Sequence, residues 1–260
     1  MKEYLYFNDE VTSIYLGDSL KLLKLFEKNT IDMIFADPPY FLSSGGITNS
    51  GGKMVCVNKG EWDKSLSLSE KIEFNKSWLQ ACHDLLTDNG TIWISGTLHN
   101  IYSIGVTLEE TGYKILNNIT WQKTNPPPNL GCRNFTHSTE TILWARKNSK
   151  KSKHFFNYDL MKSYNNNKQM KDVWTGSLTS KNEKKFGKHP TQKPLYLLER
   201  IIEASTKPGD IILDPFLGSG TTGVASKKLD RNFIGIDIDK AYTELSKRRI
   251  ENTIIESKLF

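Results

Sequence analysis

A chain of 260 residues, 37% hydrophobic and 25% charged, carries enough apolar material for one ordinary core and is too rich in it for a disordered chain. Its apolar runs fall far short of the ~20 residues a membrane span needs, its N-terminus shows no signal-like apolar stretch, and Cys56, Cys82 and Cys132 lack paired spacing. The expectation is a soluble cytoplasmic protein with neither a disulfide framework nor a zinc ribbon, whose net charge of +6 hints at a polyanionic partner.

Short apolar runs alternate with amphipathic helical patterns, which predicts an α/β sheet. Residues 13–16 read as a strand that ends at Gly17-Asp18, before the helical Leu20, Leu22, Leu23 and Leu25. Residues 32–36 form a second strand that ends at Asp37-Pro38-Pro39. Residues 69–86 are helical by spacing and stop at Asn89-Gly90, after which 91–95 is a strand and 100–110 a helix. Residues 114–121 and 139–146 are strands joined by the proline-rich linker 125–129. The alternation resumes with a helix opening at Pro194, then a strand over 210–213, a helix over 221–229, a strand over 233–236 and a final helix over 241–252.

Two segments break the pattern. Residues 41–66 are rich in Gly and Ser and read as a mobile loop. Residues 147–188 read as an inserted basic lobe. From Arg146 to Lys193 there are 13 Lys or Arg against three acids, interleaved with Phe155, Phe156, Tyr158, Tyr164, Trp174 and Phe186. Basic side chains with aromatics between them suit phosphate contact and base stacking, although a solvated lysine-rich face has the same composition. Truncating Lys150, Lys151 and Lys153 together is expected to weaken DNA binding and flatten its salt dependence.

Asp18, Asp37, Asp214 and Asp237 each follow a predicted strand, and open α/β sheets bind ligands at the carboxyl ends of their strands. Any single one of these acids reads as readily as a helix cap. The turn Asp214-Pro215-Phe216-Leu217-Gly218-Ser219-Gly220-Thr221-Thr222-Gly223 places glycines between a strand and a helix, and Asp237 stands at the end of the next strand, where an acid binds ribose hydroxyls. A nucleotide-like cofactor follows. The leading acid suits a cationic cofactor better than a pyrophosphate.

The sharpest signal is Asp37-Pro38-Pro39-Tyr40. A given four-residue string has a chance on the order of 0.2% in a chain this long, at ~5% per residue. A proline-rich turn is the plain alternative. The chemical reading is specific: an aromatic exocyclic amine is a poor nucleophile, and a carboxylate with a rigidly held proline carbonyl can both accept its hydrogens as positive charge develops. Tyr40 offers a ring face to a base swung out of its stack.

Together with His189-Pro190-Thr191-Gln192-Lys193-Pro194, these motifs resemble the β class of S-adenosylmethionine-dependent amino-group DNA methyltransferases, over nearly the whole chain. The residues 33–46, 115–130 and 136–147 resemble more closely the GATC adenine methyltransferases of restriction–modification systems, in particular the paired member that also accepts single-stranded DNA. The resemblance implies a Rossmann-like, doubly wound, mostly parallel sheet. Residues 1–146 would be its catalytic half, 147–188 a target-recognition lobe and 189–260 the cofactor-binding half. It implies that Asp37, Pro38, Pro39 and Tyr40 hold the target adenine. Asp214, Pro215, Phe216, Gly218, Ser219, Gly220 and Thr221 would form the cofactor turn, with Phe216, Gly218 and Gly220 along its methionine side. Asp237 would take the ribose and Asp18 the adenine ring, Asp37 would border the same site, and His189, Thr191 and Lys193 would cover the methionine moiety. DNA is the implied partner, homodimers occur in the family, and a cognate endonuclease is a functional rather than a physical partner.

Three rivals remain at this point. N4-cytosine methylation uses the same geometry, although the cytosine enzymes often carry Ser where Asp37 stands. A catalytically inert nucleic-acid-binding homologue shares the basic segment, and a nicotinamide oxidoreductase shares the glycine turn but leaves Asp37-Pro38-Pro39-Tyr40 unexplained. Covalent cytosine-C5 chemistry is disfavoured because no cysteine follows a proline, and the five histidines show no metal-ligand spacing.

Overall fold

The computed structural model describes residues 1–41, 47–50, 53–56 and 66–254. In chain order the elements are β1 (Leu5–Asn8), β2 (Thr12–Leu16), α1 (Ser19–Leu22), β3 (Ile31–Ala36), β4 (Ile47–Ser50), β5 (Lys53–Cys56), α2 (Leu68–Leu85), β6 (Leu86–Gly96), α3 (Ile101–Glu110), β7 (Tyr113–Lys123), β8 (Thr139–Lys147), α4 (Tyr158–Ser163), β9 (Val173–Gly176), α5 (Leu195–Ser205), β10 (Ile211–Asp214), α6 (Thr221–Lys228), β11 (Asn232–Asp237) and α7 (Lys240–Glu251). The main sheet has nine strands in the order β1-β2-β11-β10-β3-β6-β8-β7-β9. Strands β2, β11, β10, β3 and β6 run parallel, β8 is antiparallel to both its neighbours, and β1 closes the other edge antiparallel to β2. The expected doubly wound, mostly parallel architecture is present. Among the described residues no helix is long and apolar enough to cross a membrane.

Period-two alternation divides the strands between two cores. Met33, Phe35, Trp93, Ile142, Trp144 and Ile212 face a layer formed by α4, α5, α6 and α7. Ile34, Ala36, Ile92, Ile94, Leu143, Ala145 and Leu213 face α1, α2 and α3. Both faces of the central strands are therefore covered, and this is why they read as continuous apolar runs. Helix α2 starts on a capping box, in which Ser67 Oγ accepts from Glu70 N and Ser67 N donates to Glu70 Oε2.

The structure differs from the sequence reading in three places. Helix α2 ends at Leu85, before Asn89-Gly90, because Leu86 turns extended and pairs with Ile31. The register then jumps to Met33 opposite Thr91, so residues 87–90 form a bulge. The mobile loop expected over 41–66 lies mostly outside the described residues, and within it β4 and β5 pair antiparallel.

Residues 147–188 pack against the sheet rather than standing apart as a lobe. Their strand β9 adds parallel to β7, and their Met161 and Trp174 are buried in the core. The segment also divides between opposite edges of the sheet. Lys147 Nζ reaches Asn29, Asn148 N reaches Gly112 O and Lys153 N reaches Asn89 Oδ1. Lys150, Lys151 and Lys153 therefore lie at the amino ends of the parallel strands. Residues 177–188 lie at the carboxyl ends, because β9 ends with Gly176 opposite Lys123, and Gln192 and Leu195 bond Glu183. A six-residue strand at about 3.3 Å per residue puts roughly 20 Å between the two edges.

Candidate active site

A cavity of about 300 Å³ opens at the carboxyl ends of β2, β3, β10 and β11. Its wall includes all four strand-end acids, Asp18, Asp37, Asp214 and Asp237, together with Pro38, Pro39, Tyr40, His189, Thr191, Lys193, Pro215, Phe216, Gly218, Ser219 and Thr221. These residues come from distant parts of the chain and meet because parallel strands with right-handed crossovers bring their carboxyl ends to one edge.

Of the four acids only Asp18 caps a helix, and all four border the one cavity. Asp18 accepts from Leu20 N at 2.9 Å and caps α1. Asp214 accepts from Phe216 N at 3.0 Å and Thr222 Oγ1 at 2.6 Å, and Asp237 from Gly218 N at 2.7 Å and Asp239 N at 2.8 Å. Burial raises the Asp214 carboxyl to about 7 against the pull of these hydrogen bonds, with Asp37 and Asp237 adding repulsion. Burial likewise raises Asp237 to about 6. A wall of crowded carboxylates gains from a cation.

The turn residues act through backbone shape. Gly218 has φ 51°, and a Cβ there would sit 3.2 Å from the His189 ring. Its bare backbone lets that imidazole lie over the turn, where it also packs edge-on to Tyr242 at 4.3 Å. Gly220 is a correction to the sequence reading. It does not line the cavity: with φ 71° it turns the chain into α6, and a Cβ would meet Ser246 Cβ at 2.8 Å. Its place is at the contact with α7 rather than along a ligand.

Lys193 is placed differently from the expectation that it covers the methionine moiety. Its Nζ lies 2.6 Å from Asp37 Oδ2 and 2.8 Å from Tyr40 Oη, and Tyr40 donates its hydroxyl to Asp37 Oδ1 at 2.7 Å. Burial alone would lower the Lys193 ammonium, but Asp37, Tyr40 and Glu140 hold it well above the usual lysine range, while burial raises the Asp37 carboxyl against the pull of Lys193. Burial and the neighbouring Asp37 charge keep the Tyr40 hydroxyl protonated. Asn100 fixes the other side of the motif, donating from Nδ2 to Pro39 O at 3.4 Å.

Several site residues escaped the sequence reading. Glu140 and Lys123 pair at 2.7 Å directly behind Lys193. Their signal was strand parity: Lys123 continues the inward face of Ile119 and Trp121, and Glu140 that of Ile142 and Trp144. A charge on a core-facing position needs a partner. Leu20, Phe74, Ile238 and Tyr242 also line the cavity, and Ile238 is an apolar side chain left 61% exposed beside it. Ile238 had a positional signal, directly after Asp237.

A profile of the DNA methylase family matches residues 31–248. The chain is 64% identical over 246 residues to the Type II methyltransferase M2.DpnII of Streptococcus pneumoniae, covering 95% of this chain and 92% of that one. It is 55% identical over 249 residues to the Type II methyltransferase M2.MboI of Moraxella bovis, covering 96% and 91%. Among solved structures, the M1.HpyAVI–SAM complex superposes with a TM-score of 0.69 at 33% identity over 92% of this chain and 99% of that one. The cytosine-N4-specific PvuII DNA methyltransferase gives 0.74 at 21% identity over 95% and 89%, a likeness of fold alone.

Proposed function

The chain belongs to the N6/N4 DNA methylase family and is an S-adenosylmethionine-dependent DNA methyltransferase, and we propose that it methylates adenine N6 within GATC sites as the modifying partner of a restriction endonuclease. The observation that carries this reading is the convergence of Asp37, Pro38, Pro39 and Tyr40 with the four-acid cavity at one sheet edge. Asp at position 37 favours adenine over cytosine, and the 64% identity to a Type II methyltransferase supports the restriction–modification setting.

The cavity fits the cofactor. Its carboxylates match a sulfonium and an ammonium, its apolar wall of Leu20, Phe216 and Ile238 suits an adenine ring beside Asp18, and Asp237 keeps lone pairs for ribose hydroxyls. His189, Thr191, Phe216 and Gly218 would border the methionine end, and Asp214, Pro215, Ser219 and Thr221 line the same cavity. When bound, S-adenosylmethionine supplies a methyl group activated on sulfur. The chain's own part is to present the amine. Asp37 and the Pro38 carbonyl accept its hydrogens, the Tyr40 ring supports the extruded base, and the enclosed site orients the nitrogen for in-line attack. No covalent intermediate with the protein is required.

Residues 177–188, with Lys181, Lys184, Lys185 and Lys188, form the DNA-facing part of the basic segment. A surface that grips phosphates and stacks bases needs only one strand, which supports activity on single-stranded as well as duplex DNA. The exposed Tyr102 and Val106, neighbours one turn apart on α3, are the face a homodimer would use. The setting is the cytoplasm of a prokaryotic cell. Plasmid DNA treated with the protein and cofactor should become resistant to an endonuclease that cuts GATC and is blocked by adenine methylation. Full cleavage after treatment would refute the site assignment.

Cofactor affinity should depend on pH. The carboxyls raised to about 7 and about 6 favour folding in their protonated form, so their contribution is present below the unfolded carboxylate range and is lost as pH rises through those values. A bound cation favours the ionised form and restores what is lost. Calorimetry should therefore show the cofactor dissociation constant falling by roughly tenfold or more between about pH 5.5 and about pH 8, with proton release at the lower pH. A pH-independent constant would contradict the assignment of these acids to the cofactor.

A further inference from the structure

Behind the catalytic motif lies a buried row of four charges. Lys123 Nζ holds Glu140 Oε1 at 2.7 Å, Glu140 Oε2 stands 3.5 Å from Lys193 Nζ, and Lys193 Nζ holds Asp37 Oδ2 at 2.6 Å. All four side chains are at most 14% exposed. The row is electrically neutral, two ammonium groups against two carboxylates. One atom in it is weakly held: Glu140 Oε2 is fully buried, and the Lys193 ammonium that faces it stands at 3.5 Å, too long for a well-formed charge-assisted hydrogen bond. A buried carboxylate oxygen in that state is costly and needs an explanation.

Asp37 presents the converse situation. Lys193 occupies one of its oxygens and Tyr40 the other. On the reading proposed above, this carboxylate must accept a hydrogen from the target amine, yet a tightly held ammonium competes for the same oxygen. The competing group has a second acceptor within about an ångström of reach.

We propose that Glu140 is a positioning residue that draws Lys193 away from Asp37 when the target amine arrives. Lys193 then shortens its 3.5 Å contact with Glu140 Oε2 to a full hydrogen bond, and Asp37 Oδ2 turns its lone pair to the amine. Lys123 keeps Glu140 in place and ionised, as burial alone would raise this carboxyl but the two ammonium groups bring it below the ordinary range. No bond is made or broken in this exchange; one hydrogen bond replaces another. With the site at rest, Lys193 satisfies Asp37 and prevents a bare buried carboxylate.

The inference rests on the methyltransferase reading, and its test is arranged to fail separately from it. Single-turnover methyl transfer at saturating cofactor and DNA is compared for the wild type, Glu140→Gln and Glu140→Asp, with cofactor affinity from calorimetry. We expect Glu140→Gln to slow transfer by about 10- to 100-fold, the range of one charge-assisted hydrogen bond, with cofactor affinity within about twofold and the loss in kcat rather than KM. The titratable groups facing Asp37 are Lys193, Tyr40, Glu140 and Asp214. Removing the negative Glu140 charge should move the acid limb of the kcat–pH profile to lower pH, and Glu140→Asp should recover most of the rate.

If the uncompensated charge prevents folding, E140Q/K123M keeps the row neutral and is expected to fold and to remain slow. Wild-type kcat in Glu140→Gln or in the double variant would overturn the proposal. So would a loss of rate with an unmoved pH profile and no rescue by aspartate, which marks a merely structural role. A wild type that transfers no methyl to DNA would instead sink the functional reading itself.

Discussion

Replacing Asp37 with alanine is expected to reduce methyl transfer by roughly 10²- to 10⁴-fold while leaving cofactor affinity within about tenfold. On the proposed reading the carboxylate is one of two acceptors aimed at the amine where positive charge develops, and an acceptor of that kind is stronger in the transition state than in the ground state. The loss should therefore appear in kcat. On the proposed reading the cofactor is held mainly by other groups, Asp214, Asp237 and the glycine turn, hence the modest effect expected on its binding. Without Asp37 the single Glu140 carboxylate is shared between Lys123 and Lys193, so thermal unfolding of the variant is measured beside its activity to separate a lost fold from a lost acceptor. Asp37→Asn should be nearly as slow, as the amide keeps the shape of the side chain but presents only one weaker acceptor. Single-turnover kinetics and calorimetry on the two variants decide the matter, and wild-type turnover in either would remove Asp37 from the assigned role.

Alanine at Lys181, Lys184, Lys185 and Lys188 together should weaken DNA binding by about 100-fold near physiological salt and flatten the log affinity against log salt slope by roughly two to four, as each phosphate contact contributes about −0.9. Alanine at Lys150, Lys151 and Lys153 should leave the slope nearly unchanged. The second set is expected to be silent because Lys153 is fixed to Asn89 at the amino edge of the sheet, on the far side from the cavity. The first set follows β9 on the active-site edge, where Glu183 anchors the chain to Leu195 N at 2.8 Å. Titrations of a labelled duplex over a series of salt concentrations separate the two sets. A slope flattened by the second set and not by the first would place the DNA on the opposite edge.

That contrast shows what the sequence could and could not convey. The net charge of 147–188 is a sum over residues and is fully legible, but which edge each lysine reaches depends on where the strands turn. Neither Lys150 nor Lys185 carries that in its neighbours. Strands β3, β10 and β11 were legible because both of their faces are buried, and the acids at their ends marked the site edge. Strand β9 was not, as a four-residue edge strand with one buried residue, Trp174, has too little pattern to stand out from a loop. Strand β1, with no fully buried residue, escaped for the same reason.

Within the site, residues carried by a contiguous motif were found and those carried by parity were not. Asp37 through Tyr40 and Asp214 through Thr221 announce themselves as strings. Glu140 and Lys123 are single charges on inward strand positions and become meaningful only when β7 and β8 pair, with Trp121 opposite Glu140. Lys193 lay inside a legible motif, yet its direction was missed, since a flexible four-carbon side chain can reach either the methionine end of the cavity or the Asp37 carboxylate. Gly220 was read as lining the ligand because glycines in such turns serve close approach in general. Here the approaching group is α7.

The account stands most directly on methyl transfer from labelled S-adenosylmethionine to duplex and single-stranded oligonucleotides, each with GATC intact or with its adenine replaced, followed by digestion and identification of the labelled nucleoside. It predicts label on N6-methyladenine from oligonucleotides of both forms with GATC intact and none from those lacking the adenine. Label on cytosine, or equal label with the adenine replaced, would contradict it.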